Sequence, residues 1–531
     1  MNWMPLITIV ASMVMMYITS FSINVLIGPI VEDLNWSVSG LQMVIVAASL
    51  VAGTLMVTAG RLGDKIGKKK VFLIGSIIYT IGLSTVVLSP NSFIFSIAWA
   101  VIWPLGMVMV IPTSIALIMY FYQGAQRAQA FGIYGAVLML ISALAPVVVG
   151  YLASSVGWRI ALGLSPAFGI ITIILAFGLP ETSKDKDIKI DLISVILSVV
   201  SFGLLLIATT MASQYGWFFE KRPFMIGDST LPLFGLSVVP FIYLLSVIML
   251  VVFFKRGNAL VDKGQSPLLN AAILKNIPFT IGMMVQALLY FLFAAILFVV
   301  SVFVQSVSGF DSFDTALTTL PISAGVALFS FFTPGLGRKI APKWIIITGF
   351  IIVLIGSYML RQQVAVEMSP MTMLFGSVIF GIGCGLVMGQ IASVTMIKVA
   401  PEQNGEASGL SETMKEIIGQ GFAIAFAGAV LFGSVYTNMT HEYEKVESID
   451  LSIEEEDEIM LELEDTFQSI TPAEEQKFIQ TLPEKTQEAY QDIVNTSAVN
   501  AFTRTLSILD IFTIICIFLS LFLPNFKMTD D

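Results

Sequence analysis

Charge is what this chain has least of. Only 12% of its 531 residues are Asp, Glu, Lys or Arg, about half the share of an ordinary soluble domain. Histidine occurs once, as His441, and cysteine twice, as Cys384 and Cys516. A single histidine argues against a histidine-based metal centre or catalytic triad, and two cysteines inside apolar runs imply no disulfide framework. No G-x-x-x-x-G-K-[ST] run is present, so the phosphate-cradling loop of an ATP-driven pump is missing. No nucleophile, base and acid come together in a recognisable pattern. Neither an enzyme nor a cofactor or metal is expected.

What fills the space is apolar. Hydrophobic residues make up 56% of the chain and the mean hydropathy is +0.88. A bilayer-spanning helix needs about 20 apolar residues. Fourteen such segments can be drawn, near 4–30, 40–60, 70–89, 92–122, 127–153, 158–179, 190–212, 231–254, 278–305, 314–336, 343–360, 369–399, 405–435 and 501–523. Their unbroken runs differ from the short alternating strands of a membrane barrel. The fold class predicted is therefore an all-α polytopic membrane protein. The first segment lacks the basic flank and short apolar core of a cleavable signal, and is expected to be retained.

The formal net charge of −10 is unevenly spread. Residues 441–492 hold 17 acids and 3 lysines, a local −14, which leaves +4 for the remainder. Nucleic acid is not an expected partner. Alternating the loops across the bilayer places 18 Lys and Arg on the side of both termini and 8 on the other, with Lys415 inside a segment. The excess of basic residues on cytoplasmic loops predicts a plasma-membrane protein with both termini in the cytoplasm and an extracytoplasmic acidic loop, 438–500. That loop reads as a solvated helical appendage, with Glu454–Glu458 as a candidate collector of cations at the outer mouth.

The densest run of unusual residues is Gly60–Lys70, G-R-L-G-D-K-I-G-K-K-K. Glycines there allow a sharp turn between two helices, Asp64 can meet a helix terminus or an arginine, and Lys68–Lys70 can hold the next helix at the headgroups. The pattern recurs. Thr58-Ala59-Gly60, Leu62-Gly63-Asp64-Lys65-Ile66 and Gly75 reappear as Thr333-Pro334-Gly335, Leu336-Gly337-Arg338-Lys339-Ile340 and Gly349. Parallel repeats of this kind mark two half-bundles facing one another across a midplane site. The domain boundaries expected are 1–180 for a six-helix half, 181–277 for two additional helices and linkers, and 278–531 for the second half.

Gly60, Leu62, Gly63, Asp64, Lys65, Gly67, Lys68 and Lys69 match G-x-L-[AG]-D-[RK]-x-G-[RK]-[RK]-[RK], and in this the chain resembles the major facilitator superfamily. With fourteen segments it looks like the drug:proton antiporter branch, the multidrug and disinfectant exporters. Arg127 in Q-R-A-Q-A-F resembles the arginine that pairs near the acid of that signature. The resemblance implies a conformational latch of Gly60, Gly63, Asp64, Gly67, Lys68, Arg127 and Arg338. It also implies a monomer working on a small molecule. Three positions depart from the branch. Ser20 stands where proton-coupled members carry an aspartate, Ala100 where they carry an arginine, and the fifth-segment motif survives only as Pro146 and Gly150.

Coupling must then be sought elsewhere. Charges inside a span are costly and usually functional. The candidates are Glu412, Lys415 and Glu416, which share one helical face by their i, i+3 and i+4 spacing, and Asp510 in the last segment. In the resembling fold that last helix is peripheral, so Asp510 also reads as a structural acid bonded to a neighbouring helix. Asn24, Trp103, Met107, Pro146, Gln286, Tyr290 and Gln390 are candidates for a substrate cavity. The expected function is secondary active transport by alternating access, exporting lipophilic or cationic compounds in exchange for protons. Two other readings stay open: a transporter of a metabolite or lipid-like molecule with atypical coupling, and a non-transporting membrane sensor or scaffold.

Overall fold

The computed structural model describes residues 3–526 other than 183–190, 222, 227–228, 231–232, 264, 266, 269–270, 338, 400–403 and 444–483. Arg338 and Glu454–Glu458 thus lie outside the described residues. Fourteen helices among those described are long and apolar enough to cross a membrane. They are α1 (Met4–Asp33), α2 (Val38–Ile66), α3 (Lys68–Val87), α4 (Ser92–Phe121), α5 (Gln129–Val156), α6 (Trp158–Phe177), α7 (Leu192–Tyr215), α8 (Val239–Asp262), α9 (Ile277–Ser306), α10 (Ser312–Gly337), α11 (Pro342–Gln363), α12 (Leu374–Met396), α13 (Ala407–Val435) and α14 (Asp492–Ser520). The expected all-α membrane architecture is what the chain adopts. One small two-stranded ribbon, Met225–Ile226 against Ser229–Thr230, lies between α7 and α8.

Local sequence explains the helix ends. Ser37 accepts from Gly40 N at 3.1 Å and Asn91 from Ile94 N at 3.0 Å, each satisfying a first-turn donor that has no partner inside the helix. The run Gly60–Lys70 is not the open loop its glycines suggest. Helix α2 continues through Ile66 and α3 starts at Lys68. Gly67 alone makes the turn, at φ +102°, a value that side chains rarely tolerate. Gly157, at φ +94°, joins α5 to α6 in the same way. Gly63 is instead a packing position, since a Cβ there would sit 3.1 Å from Thr113 Cγ2.

The repeat seen in the sequence is also a repeat of packing. A Cβ on Gly82 of α3 would lie 2.6 Å from Trp103 N of α4, and one on Gly356 of α11 would lie 2.4 Å from Phe380 N of α12. Small residues at these two crossings let the backbones approach closely, the usual basis of helix packing in lipid. Along its apolar stretch 72% of the residues of α9 are buried, against 17% for α8. So α9 is part of the core and α8 faces outward. Helix α7 packs on both α2 and α13, and α8 packs on α7. Arg256 of α8 donates to both carboxylate oxygens of Asp191, at 2.9 and 2.8 Å. Those bonds hold the Asp191 carboxyl down at about 2.

Candidate functional site

A cavity of about 200 Å³ lies between the halves, lined from α1, α2, α4 and α5 on one side and from α9, α10 and α13 on the other. Its first wall is aromatic and uncharged. Tyr17 and Phe21, one turn apart on α1, stack with centroids 5.6 Å apart. Trp99 and Trp103 meet edge to face at 5.4 Å on α4. Tyr79 fixes Trp103 from behind, at 5.7 Å edge to face, and its own hydroxyl donates to Met15 O at 3.0 Å. Around Trp99 and up to Trp103, α4 widens into a π-helical turn, Ala98–Ile102. Such turns often accompany functional sites.

The opposite wall carries the charge. Glu412, Lys415 and Glu416 all line the cavity from α13, and a second π-helical turn, Ile417–Phe422, follows them directly. Lys415 Nζ is ion-paired with Glu412 Oε2 and sits 5.3 Å from the centroid of the Tyr290 ring of α9. Glu416 makes no ion pair among the described residues. Of the cavity candidates, Asn24, Trp103, Met107, Pro146 and Tyr290 line the space.

Gln286 and Gln390 do not. Gln286 Oε1 accepts from Ser411 Oγ at 2.9 Å, which ties α9 to α13 outside the cavity lining. Gln390 Nε2 donates to Thr333 O at 2.6 Å, and its amide fills the space beside Gly337. Each amide makes a bond between helices, the usual fate of polar groups in lipid, although Gln390 Oε1 has no hydrogen-bond partner among the described residues. Asp510 is also absent from the cavity. It pairs with Arg361 at 2.8 Å, and Arg361 donates to Ser507 Oγ at 2.7 Å, so this acid links α14 to α11. Tyr17, Trp99, Ser49 and Gln420 line the cavity and were not candidates. The spacing of Tyr17 and Phe21, i and i+4, is the signal that could have found the first.

The latch residues are arranged differently from expectation. Asp64 pairs with Lys68 across Gly67 at 2.8 Å, not with Arg127. Arg127 instead caps the end of α4, donating to Tyr122 O at 2.9 Å and Met119 O at 3.1 Å. Lys69 reaches Glu181 at 3.3 Å, beyond the end of α6. At the opposite end Gln305 of α9 bridges to α1, and Ser154 Oγ of α5 accepts from Phe313 N of α10 at 3.1 Å. Gln305 Oε1 accepts from Gly28 N at 2.6 Å while its Nε2 donates to Asn24 O at 2.8 Å. Gly28 directly precedes Pro29, which has no N–H to give the α1 ladder, and α1 is locally a tighter 3-10 turn over Ile23–Leu26.

The family model of the Major Facilitator Superfamily matches residues 9–424. The chain belongs to this superfamily. Among its relatives is the multidrug resistance protein Stp of Mycobacterium tuberculosis, 25% identical over 436 residues that cover 81% of this chain and 76% of Stp. Another is the quinolone resistance protein NorB of Staphylococcus aureus, 25% identical over 82% of this chain and 90% of NorB. Among solved structures, a bacterial homologue of the human lysosomal transporter Spinster, inward-facing and unoccupied, aligns with a TM-score of 0.63 at 15% identity, covering 99% of this chain and 98% of that one. This superfamily member is thus a transporter of small molecules and not an enzyme. The sensor or scaffold reading is set aside with it.

Proposed function

We propose that this transporter works by alternating access and exports lipophilic cations in exchange for protons, with its basic end in the cytoplasm. One observation carries the reading. A cavity between the halves holds a single ionisable cluster among the described residues, Glu412, Lys415 and Glu416, against an aromatic wall. A carboxylate in such a place can hold a proton or a cation, and competition for it is the simplest form of antiport. The aromatic side chains and Met107 around it accept varied apolar bodies. The names of Stp and NorB, multidrug and quinolone resistance proteins, support the substrate class. Glu416 is the proposed coupling carboxylate, because Lys415 already occupies Glu412.

The test is dye export in proteoliposomes under an imposed pH gradient. Glu416→Gln should lose gradient-driven movement while still folding and inserting. Normal gradient-driven transport in that variant defeats the assignment. Ser20 and Ala100, neutral where proton-coupled exporters carry charge, favour a second reading: movement of a metabolite or lipid-like molecule that does not respond to the pH gradient. Wild-type transport indifferent to the gradient in the same assay selects it.

A further inference from the structure

The cavity holds its own cation. Lys415 is placed as a bound organic cation would be, with its ammonium on one carboxylate and over the face of an aromatic ring. Aromatic faces beside carboxylates are the recognised setting for quaternary ammonium groups. Yet this ammonium is tethered to α13 and cannot leave. The titratable groups around it are Glu412 and Glu416 on the same helix, Tyr290 on α9 and, from the other half, Tyr17 of α1 and Tyr134 of α5. No further cation lines the cavity among the described residues.

We propose that Lys415 is a built-in counter-cation that sets the valence of the substrate: it neutralises one of the two cavity carboxylates and leaves the other for a single positive charge. This rests on the export reading and deepens it. With both carboxylates ionised, the cavity carries one negative charge in excess. A monovalent lipophilic cation cancels it, and so does one proton on Glu416, so the two exclude one another. A dication leaves one positive charge uncompensated in a water-poor space, which is the costly state for any buried ion. Lys415 thus acts as a repulsive element against dications, and specificity commonly depends on such elements as much as on attraction. The apolar body of the substrate is left the stacked Tyr17 and Phe21 and the Trp103 face, because the Tyr290 face is taken.

Equilibrium binding to the purified full-length protein tests this without reference to coupling. The probes are tetraphenylphosphonium, a monocation, and dequalinium, a dication. Wild type should bind tetraphenylphosphonium at least about tenfold more tightly than dequalinium, a difference of about 1.4 kcal/mol. Lys415→Gln frees the second carboxylate and should tighten dequalinium binding by about tenfold or more. The double variant Glu412→Gln with Lys415→Gln has one carboxylate again and should return to the monocation. Unchanged dequalinium affinity in Lys415→Gln overturns the proposal, as does persistent dication preference in the double variant. Should Lys415→Gln fail to fold, Glu412→Gln carries the test: its cavity is neutral, and retained tetraphenylphosphonium affinity overturns the proposal. Wild type binding neither probe sinks the export reading as well, whereas intact monocation binding with no role for Lys415 sinks only this inference.

Discussion

The two halves share a packing plan and divide the chemistry. Gly82 and Gly356 seat equivalent helix crossings, and the sequences around Gly60 and Gly335 are recognisably the same. At the cavity the likeness ends. The first half contributes Tyr17, Phe21, Trp99 and Trp103, without an ionised side chain among the described lining residues. The second contributes Glu412, Lys415 and Glu416. Backbone approach is a geometric demand that both copies must meet. Charge placement is not, so duplication can preserve one and let the other drift to a single side.

The strongest way to break the comparison is at the joints. Asp64 has its partner Lys68 in the first half, whereas Arg338 stands at the matching place in the second. We expect Asp64→Asn to cut turnover by about tenfold or more at unchanged insertion, because an element that pairs in one state and re-pairs in another biases the transition between them. Normal initial rates of dye export in that variant would show the two joints to be equivalent after all.

Next in size is the α11–α14 ion pair, a charge placed in the second half but away from the cavity. Asp510→Asn leaves Arg361 without its carboxylate in an apolar setting, and breaking a buried pair costs about 3 kcal/mol. The thermal midpoint in detergent should fall clearly, while export per folded molecule and its pH dependence stay as in wild type. A changed pH profile in this variant would return Asp510 to the coupling machinery.

A smaller effect sharpens the division of labour. Ser20 lines the cavity from the uncharged half and donates to Met16 O at 3.1 Å. Ser20→Asp should restore part of the gradient-driven transport lost in Glu416→Gln, by several fold, since a carboxylate in the same cavity can hold the same proton. No recovery, in a variant that still binds tetraphenylphosphonium, would mean that the position on α13 matters and not only the charge. The smallest expected effect comes from removing residues 445–490. We expect unchanged export of a cationic dye, and a marked loss would make the acidic loop a collector of substrate.

Much of this was legible in the sequence, and the misplaced residues share a cause. Long apolar runs report helices directly, because each must satisfy its own backbone in lipid. The face that a residue presents is harder to read. Trp103 and Met107 were found because they share a face beside Pro104. Gln286 and Gln390 read as cavity residues because they are polar groups on helices that line the cavity in the resembling fold, yet each makes one hydrogen bond between helices. Asp510 resembled a proton carrier because its partner, Arg361, lies just past the apolar run that preceded it. Asp64 and Arg127 were paired by resemblance, while in this conformation nearer groups hold both.

The single-residue joint at Gly67 has a mechanical consequence. Between Ile66 and Lys68 there is no slack chain, so the two helices are geared to one another. An α-helix turns about 100° per residue, and one inserted residue would have to appear as rotation of α2 or α3 about its own axis. Turned so far, α3 would carry the Tyr79 hydroxyl away from Met15 and Thr19 and withdraw the support behind Trp103. The phase of the aromatic wall is in this sense set some distance from it, at a joint that touches no substrate.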